Sequence, residues 1–413
     1  MQTRLADFIR DTPQGIEAER ILRSCVHCGF CLATCPTYQI LGDELDSPRG
    51  RIYLMKQYLE SGEVSAKTQL HLDRCLTCRN CETTCPSGVE YSKLLDIGRG
   101  LIEQQVPRSA AASLQRYMLR QTLTRPTLFN TLLTLGRAAR PFLPASLKAK
   151  LPAAQPHSTR PAIRHKRHML LLEGCVQPGL APNINAAAAR LLDKIGISLV
   201  SANNAGCCGA VSYHLNAQAE GLDFMRRNID AWWPQIDAGA EAIVMTASGC
   251  GVTVKEYGHY LQHDPAYSAR AARVSSLTRD LSEVVLSEAE ALRGLFPPSP
   301  EFRARVAFHA PCTLQHGQQI TGVVEALLSV AGYAVVTPSE ANLCCGSAGT
   351  YSILQPAISN QLRERKLGHL QALQPEIIAT ANIGCLTHLQ AGTRTPVRHW
   401  IELLDDNWGK TTA

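Results

Sequence analysis

The sequence predicts a helical, cysteine-bearing head followed by two copies of a parallel α/β module. Three observations carry this reading. The run "CVHCGFCLATCP" (25–36) returns as "CLTCRNCETTCP" (75–86). The other eight cysteines fall into two sets with matching intervals, and strand and helix patterns alternate around each set.

The head comes first. Four cysteines at two, two and three intervening residues, followed by proline, are too many for one disulfide. Three closely spaced thiols let one loop wrap three corners of a 4Fe–4S cubane, and a cysteine before proline closes a fourth. Zinc remains the alternative, although it favours ligand pairs split by a long gap. A thioredoxin-like site needs only a single Cys-x-x-Cys. In two-cluster ferredoxins the fourth cysteine of each run serves the other cluster. Carried to this sequence, that rule gives one cluster on Cys25, Cys28, Cys31 and Cys85. The second then sits on Cys75, Cys78, Cys81 and Cys35. Pro36 and Pro86 turn the chain away from sulfur. Gly29 lets the backbone approach it, with Arg79 in the equivalent place.

Between the runs, "SPRGRIYLMKQYLESGE" predicts a helix with Ser47 as N-cap, Pro48 first and Gly62 as its stop. Ile52, Met55, Tyr58 and Leu59 form its buried stripe. Compact β-type ferredoxins have no room for it, so the head is expected to be an α-helical ferredoxin. Arg49 and Arg51 either offset cluster charge or are solvated.

The connector follows. Between Gln104 and Leu172 lie twelve Lys and Arg and no acid, while the rest of the chain has 35 acids against 29 bases. Its leucines recur at helical spacing with arginines between them. It is expected to dock on anionic lipid or an acidic partner, or else to pack on its own domains. Pro126, Pro141 and Pro144 divide it into short helices.

The modules come last. One set comprises Cys175, Cys207, Cys208 and Cys250; the other comprises Cys312, Cys344, Cys345 and Cys385. The interval from leading cysteine to vicinal pair is 32 residues in both, and from pair to last cysteine 42 and 40. "HMLLLEGC" and "RVAFHAPC" predict strands, "NINAAAARLLDKIG" and "GVVEALLSVAG" helices, and "ISLVSA" and "YAVVTP" second strands. A further helix and a last strand, "EAIVMTASGC" or "EIIATANIGC", complete each unit. Such alternation implies a parallel sheet with the thiols at its carboxyl edge, where ligands of open α/β sheets gather. A further iron–sulfur centre and a merely packed or labile thiol pair both remain open there. His309 and His316 flank Cys312 as candidates for proton relay or quinone contact, against a reading as ordinary satisfied histidines.

Several classes are excluded or set aside. Sixteen cysteines without a secretory signal point to a reducing cytosol and to metal or redox chemistry. No run of eighteen apolar residues exists to span a bilayer. "WGKTTA" fails as a phosphate loop because the required glycine falls at Leu404. No dinucleotide motif and no nucleic-acid reading motif occurs. His71, His259 and His263 stand alone and carry no assignment.

The modules resemble the cysteine-rich CCG domains of heterodisulfide reductase. In the fullest form of that domain the last element is Cys-x-x-Cys, and here Ala247 and Asn382 occupy the earlier position. The order of parts resembles the iron–sulfur subunit of bacterial glycolate oxidase over almost the whole chain. The same architecture occurs in the iron–sulfur subunit of anaerobic glycerol-3-phosphate dehydrogenase. A heterodisulfide-reductase-like thiol redox subunit is the reading from another class.

The first resemblance implies an electron-transfer subunit with two 4Fe–4S clusters and no catalytic residue of its own. FAD then resides only on partner flavoprotein subunits, which oxidise glycolate to glyoxylate. A membrane quinone or similar acceptor takes the electrons, with the chain cytoplasmic and peripheral on the inner membrane. The expected units are the α-helical ferredoxin at 1–103, the connector at 104–167, and CCG α/β modules at 168–290 and 303–405.

Overall fold

The computed structural model describes residues 1–142, 153–155, 158–293 and 303–409. Pro144 and the end of "WGKTTA" lie outside the described residues.

The head is helical throughout: α1 (Pro13–Ser24), α2 (Pro36–Leu41), α3 (Pro48–Ser61), α4 (Ala66–Asp73), α5 (Asn80–Thr83) and α6 (Tyr91–Gln105). Proline at N1 fits three of these starts, because the missing N–H is one a helix leaves unsatisfied anyway. Helix α3 forms as its sequence predicts. Ser47 Oγ accepts from the Gly50 N–H, and Gly62 closes the helix in the left-handed region at φ 76°. Ile52, Met55, Tyr58 and Leu59 are buried, packing with Leu22, Leu94 and Leu95 in the head's core.

Gly50 has a specific reason. A Cβ there would lie 2.0 Å from the Glu44 carbonyl oxygen in the short 3-10 turn Glu44–Asp46. That turn places Asp46, whose carboxylate is fully buried. Asp46 receives Arg51 at 3.2 Å and Arg74 at 2.8 Å, and His71 Nδ1 lies 3.1 Å from it. Arg51 also donates to the His71 carbonyl and to Thr37 Oγ1. Arg51 is therefore buried rather than solvated, and His71, which stood alone in the sequence, belongs to this network.

The connector forms two helices, α7 (Ala110–Leu123) and α8 (Pro126–Ala139), broken at Pro126 as expected. A 3-10 turn, Arg140–Phe142, holds Pro141.

Each module is a four-stranded parallel sheet. The first contains β1 (Arg167–Leu171), β2 (Ile197–Ser201), β3 (Ile243–Met245) and β4 (Thr278–Asp280) in the order β2-β1-β3-β4. The second contains β5 (Arg305–His309), β6 (Ala334–Val336), β7 (Ile377–Thr380) and β8 (Val397–His399) in the equivalent order. The fourth strands, β4 and β8, were not anticipated, because three residues give too short a pattern to read. Strands β1 and β5 stop at Leu171 and His309, so Cys175 lies on the loop beyond β1 and Cys312 at the start of the helical turn Thr313–Gly317 rather than at the strand ends.

The two modules share one core. The last helix of the second module, Trp400–Gly409, packs on the helix Asn183–Lys194 of the first. Reciprocally, helix Leu281–Ser287 of the first packs on Val323–Val330 of the second. Leu191, Leu192, Ile401 and Leu404 are all buried within the same apolar cluster. His399, fully buried, joins the modules by placing Nε2 2.9 Å from the Thr246 carbonyl, while its Nδ1 receives the Ile401 N–H.

Two expectations follow from this packing. Gly50→Ala should lower stability by about 1–3 kcal/mol in chemical denaturation, because the clash is with backbone and the Asp46 turn must shift. The second concerns acid. Burial holds His399 at about 4, below its ordinary 6.5. The unfolded chain then binds the proton first, so the contribution is complete above about pH 6.5 and is lost as pH falls through about 4. It amounts to about 3 kcal/mol. Thermal midpoints should fall across that window, and His399→Gln should flatten the slope.

Candidate metal centre

Both cysteine loops in the head use the same backbone device. His27 and Gly29 in the first, and Thr77 and Arg79 in the second, have positive φ. These left-handed residues alternate with cysteines and turn successive N–H groups inward, a concavity suited to anions. The Thr77 N–H lies 3.4 Å from Cys75 Sγ, and the His27 N–H addresses Cys25 in the same way. The first turn of α3 adds the Arg49 N–H on Cys31, which gives the "SPRGR" segment a role beside sulfur.

The structure brings the eight head cysteines together in two groups. Cys25, Cys28, Cys31 and Cys85 line one pocket together with Cys81, alongside Arg49 and Tyr91. Cys75, Cys78, Cys81 and Cys35 are mutual neighbours in the second. Each run thus sends its fourth cysteine to the other group.

The chemistry of this donor set fits iron–sulfur clusters. Burial pushes the Cys31 thiol up to about 11 and those of Cys78 and Cys81 well above their ordinary value. Such thiols stay protonated near neutrality unless a metal deprotonates them. Around them the interior is cationic. Arg99 is buried and donates to the Leu72 and Cys75 carbonyls, with no carboxylate partner among the described residues. Arg51 reaches Thr37 Oγ1, itself 3.3 Å from Cys35 Sγ. Buried cations next to sulfur suit anionic clusters of about −2 each.

Each module gathers its own four thiols at the carboxyl edge of its sheet. In the first, Cys207 is within hydrogen-bonding reach of Cys175 and Cys208, and Cys208 of Cys250. Hydrogen bonds from Cys207 and Cys250, with the Ala210 N–H, pull the Cys208 thiol well below its ordinary value. In the second, Cys312, Cys344, Cys345 and Cys385 form a continuous row. Lys366, buried and donating to the Glu340 carbonyl at 2.5 Å, supplies positive charge beside it.

The head docks so that its second group meets the second module. Cys78 packs with Cys312 and Cys344 in an apolar cluster that includes Leu76, Tyr351 and Leu362. Three contacts hold this joint. Asn80 Nδ2 donates to the Asn342 carbonyl at 3.1 Å, Tyr351 OH to the Arg74 carbonyl at 3.0 Å, and Thr83 Oγ1 meets His316 Nδ1 at 2.9 Å. His316 Nε2 also meets the Asn342 carbonyl at 2.9 Å, so this histidine is a clamp with both nitrogens satisfied. His309 differs: it is buried and neither ring nitrogen has a hydrogen-bond partner among the described residues. Towards the first module, Arg79 forms a two-pronged pair with Glu256 at 2.6 and 2.8 Å. Sequence reading missed Glu256, Asn342 and Lys366, because nothing local marks a residue whose partner is far along the chain.

In the connector, Arg108 and Arg116 pair with Asp73 of the head and Arg120 with Glu220 of the first module, as packing on its own domains expects. Arg125 and Arg140 are exposed, and so are Leu114, Tyr117, Met118, Leu132 and Leu135. No described helix is long and apolar enough to cross a membrane.

Comparison with known proteins agrees with this anatomy. Residues 21–89 match the family described as the 4Fe-4S dicluster domain, and residues 169–255 and 306–390 match the CCG cysteine-rich domain. The glycolate oxidase iron-sulfur subunit of Escherichia coli is 56% identical over 412 residues, covering 98% of both chains. The probable glycolate oxidase iron-sulfur subunit of Bacillus subtilis is 30% identical over 400 residues, covering 90% of this chain and 89% of that one. Lactate utilization protein A of Geobacillus kaustophilus is 26% identical over 54% of this chain and 92% of its own. With its two thiol groups in the head and its paired cysteine-rich modules, the chain belongs to the family of glycolate oxidase iron–sulfur subunits.

Proposed function

We propose that this chain is the electron-carrying subunit of a multi-subunit, flavin-dependent glycolate dehydrogenase. Partner flavoprotein subunits, which bear the FAD, oxidise glycolate to glyoxylate, and this chain conducts the electrons toward membrane quinone. Cys25, Cys28, Cys31 and Cys85 hold one 4Fe–4S cluster; Cys75, Cys78, Cys81 and Cys35 hold the other. When bound, these clusters accept and release single electrons. The remaining work belongs to the protein. Backbone N–H groups at His27, Arg49 and Thr77 stabilise charge on sulfur, and Arg51 and Arg99 offset it.

One observation carries the reading: the line of sulfurs has an open end and a closed end. Cys28 is exposed, between the exposed apolar side chains of Val26 and Phe30. The opposite end is sealed against the second module at Cys78 and Cys312. An exposed metal loop with apolar flanks suits docking of an electron donor, and we assign the flavoprotein to this face. The connector supports the membrane side of the proposal. With Arg108, Arg116 and Arg120 engaged internally, the ridge of Leu114, Tyr117, Met118, Leu132 and Leu135 is the surface that meets lipid, on the cytoplasmic face of the inner membrane.

Two outcomes are expected. Cys28→Ser and Cys78→Ser should each remove one cluster from the low-temperature EPR spectrum of the reduced holoprotein. Each should also abolish glycolate-to-quinone turnover, while glycolate oxidation by the complex with an artificial flavin oxidant persists. Full quinone turnover in the double variant contradicts the relay. Separately, the complex should stay on anionic vesicles at high salt, because apolar contact is not screened. Tyr117→Ser combined with Met118→Ser should release it, and retention by that variant contradicts the assignment of the ridge.

A further inference from the structure

The two cysteine loops of the head repeat at an interval of 50 residues, so each position in one has a counterpart in the other. Their backbone bonds to the leading sulfur are alike: the His27 N–H addresses Cys25, and the Thr77 N–H lies 3.4 Å from Cys75 Sγ. Their fixed charges differ.

Behind the second loop, Arg99 of α6 is only 8% exposed. It donates to the Leu72 carbonyl at 2.6 Å and to the Cys75 carbonyl at 2.8 Å, and no carboxylate among the described residues pairs with it. Arg51, 1% exposed, reaches Thr37 Oγ1, which is 3.3 Å from Cys35 Sγ. Its partner Asp46 is shared with Arg74, so two guanidinium groups face one carboxylate.

Behind the first loop the equivalent carbonyls, Leu22 and Cys25, meet the amino group of the half-buried Met1 at 3.4 and 2.7 Å. Arg49, the guanidinium lining that pocket, is 33% exposed and paired with Glu44 at 2.6 Å. Both loops therefore have a cation at the same place, and burial separates them. Glu82, the partly buried acid nearby, adjoins Cys81, which borders both groups and so weighs on both.

Reduction adds one negative charge to a cluster, so a neighbouring cation favours the reduced form. The effect is strongest where the cation is buried and not offset, and it is weakened by solvent and by a paired carboxylate.

On the basis of the two-cluster relay, we propose that Arg99 sets the potential of the cluster on Cys75, Cys78, Cys81 and Cys35, making it the more readily reduced of the two. One electron passes from the exposed cluster, which is oxidised, to the enclosed one, which is reduced, and no bond forms or breaks. Electrons entering at Cys28 thus run downhill toward the joint with the second module. Arg99 acts through its charge and through the Cys75 backbone, as a positioning residue.

The test is a potentiometric titration of the holoprotein followed by low-temperature EPR. Two signals are expected, and the one with the higher midpoint should be relaxed less by an added dysprosium chelate, because Cys28 exposes the other cluster. Arg99→Leu should lower the higher midpoint by at least about 59 mV, a tenfold change in the reduced-to-oxidised ratio for one electron, and move the lower one far less. Arg99→Lys, which keeps the charge, should restore most of the loss. Equal shifts of both midpoints, a lysine variant as low as the leucine one, or stronger relaxation of the higher-potential signal would each overturn the proposal. The dysprosium measurement needs no variant, so it decides the matter even if Arg99→Leu fails to fold. Absence of two cluster signals from the unaltered holoprotein would overturn the relay as well, whereas two signals indifferent to Arg99 overturn this proposal alone.

Discussion

Sulfur that must become anionic is buried here among groups that cannot be neutralised by water. The structure meets that constraint with fixed positive charge. Arg51 and Arg99 in the head and Lys366 in the second module are buried close to cysteines, and none is free to leave. Arg51 is paired with Asp46, whereas Arg99 and Lys366 have no carboxylate ion pair among the described residues; a desolvated charge without an opposite costs several kcal/mol, so those two and the nearby thiolates depend on each other. The Asp46 turn, the choice of glycine at position 50, and the placement of α3 follow from holding Arg51 and Arg74 in position.

Rigidity of the joints matters as much as the ligands. The head is tied to the second module by uncharged hydrogen bonds around His316 and to the first by the Arg79–Glu256 pair. Arg79 adopts a left-handed conformation that its type resists, and its ion pair helps to hold it there. The residue that shapes the second cysteine loop is thus also the one that anchors it. Electron passage between neighbouring centres falls off steeply with separation, so a loop anchored on both sides serves conduction better than a free one.

Much of this was legible in the sequence. Cysteine intervals singled out the eight head cysteines that lie together in the fold, and the cap signals Ser47, Pro48 and Gly62 bounded α3 because capping is local chemistry. The module repeat and its parallel strands followed from apolar runs and equal intervals. What escaped was of two sorts. Strands β4 and β8 are too short for periodicity to register. The charge partners of Arg116 and Arg120 lie far away along the chain, so the connector's basicity left external docking and packing on its own domains both open. His309 and His316 look alike in the sequence, and only packing separates the satisfied one from the orphaned one.

The exchange of terminal helices between modules has a consequence for how the polypeptide is made. Leu191 and Leu192 of the first module are covered by Ile401 and Leu404, more than two hundred residues later in the chain. During synthesis that apolar face emerges long before its cover, and it stays bare until more than two hundred further residues have been made. A nascent chain in this condition is a natural client for chaperones, and loss of the final helix would unmask the first module as well as the second.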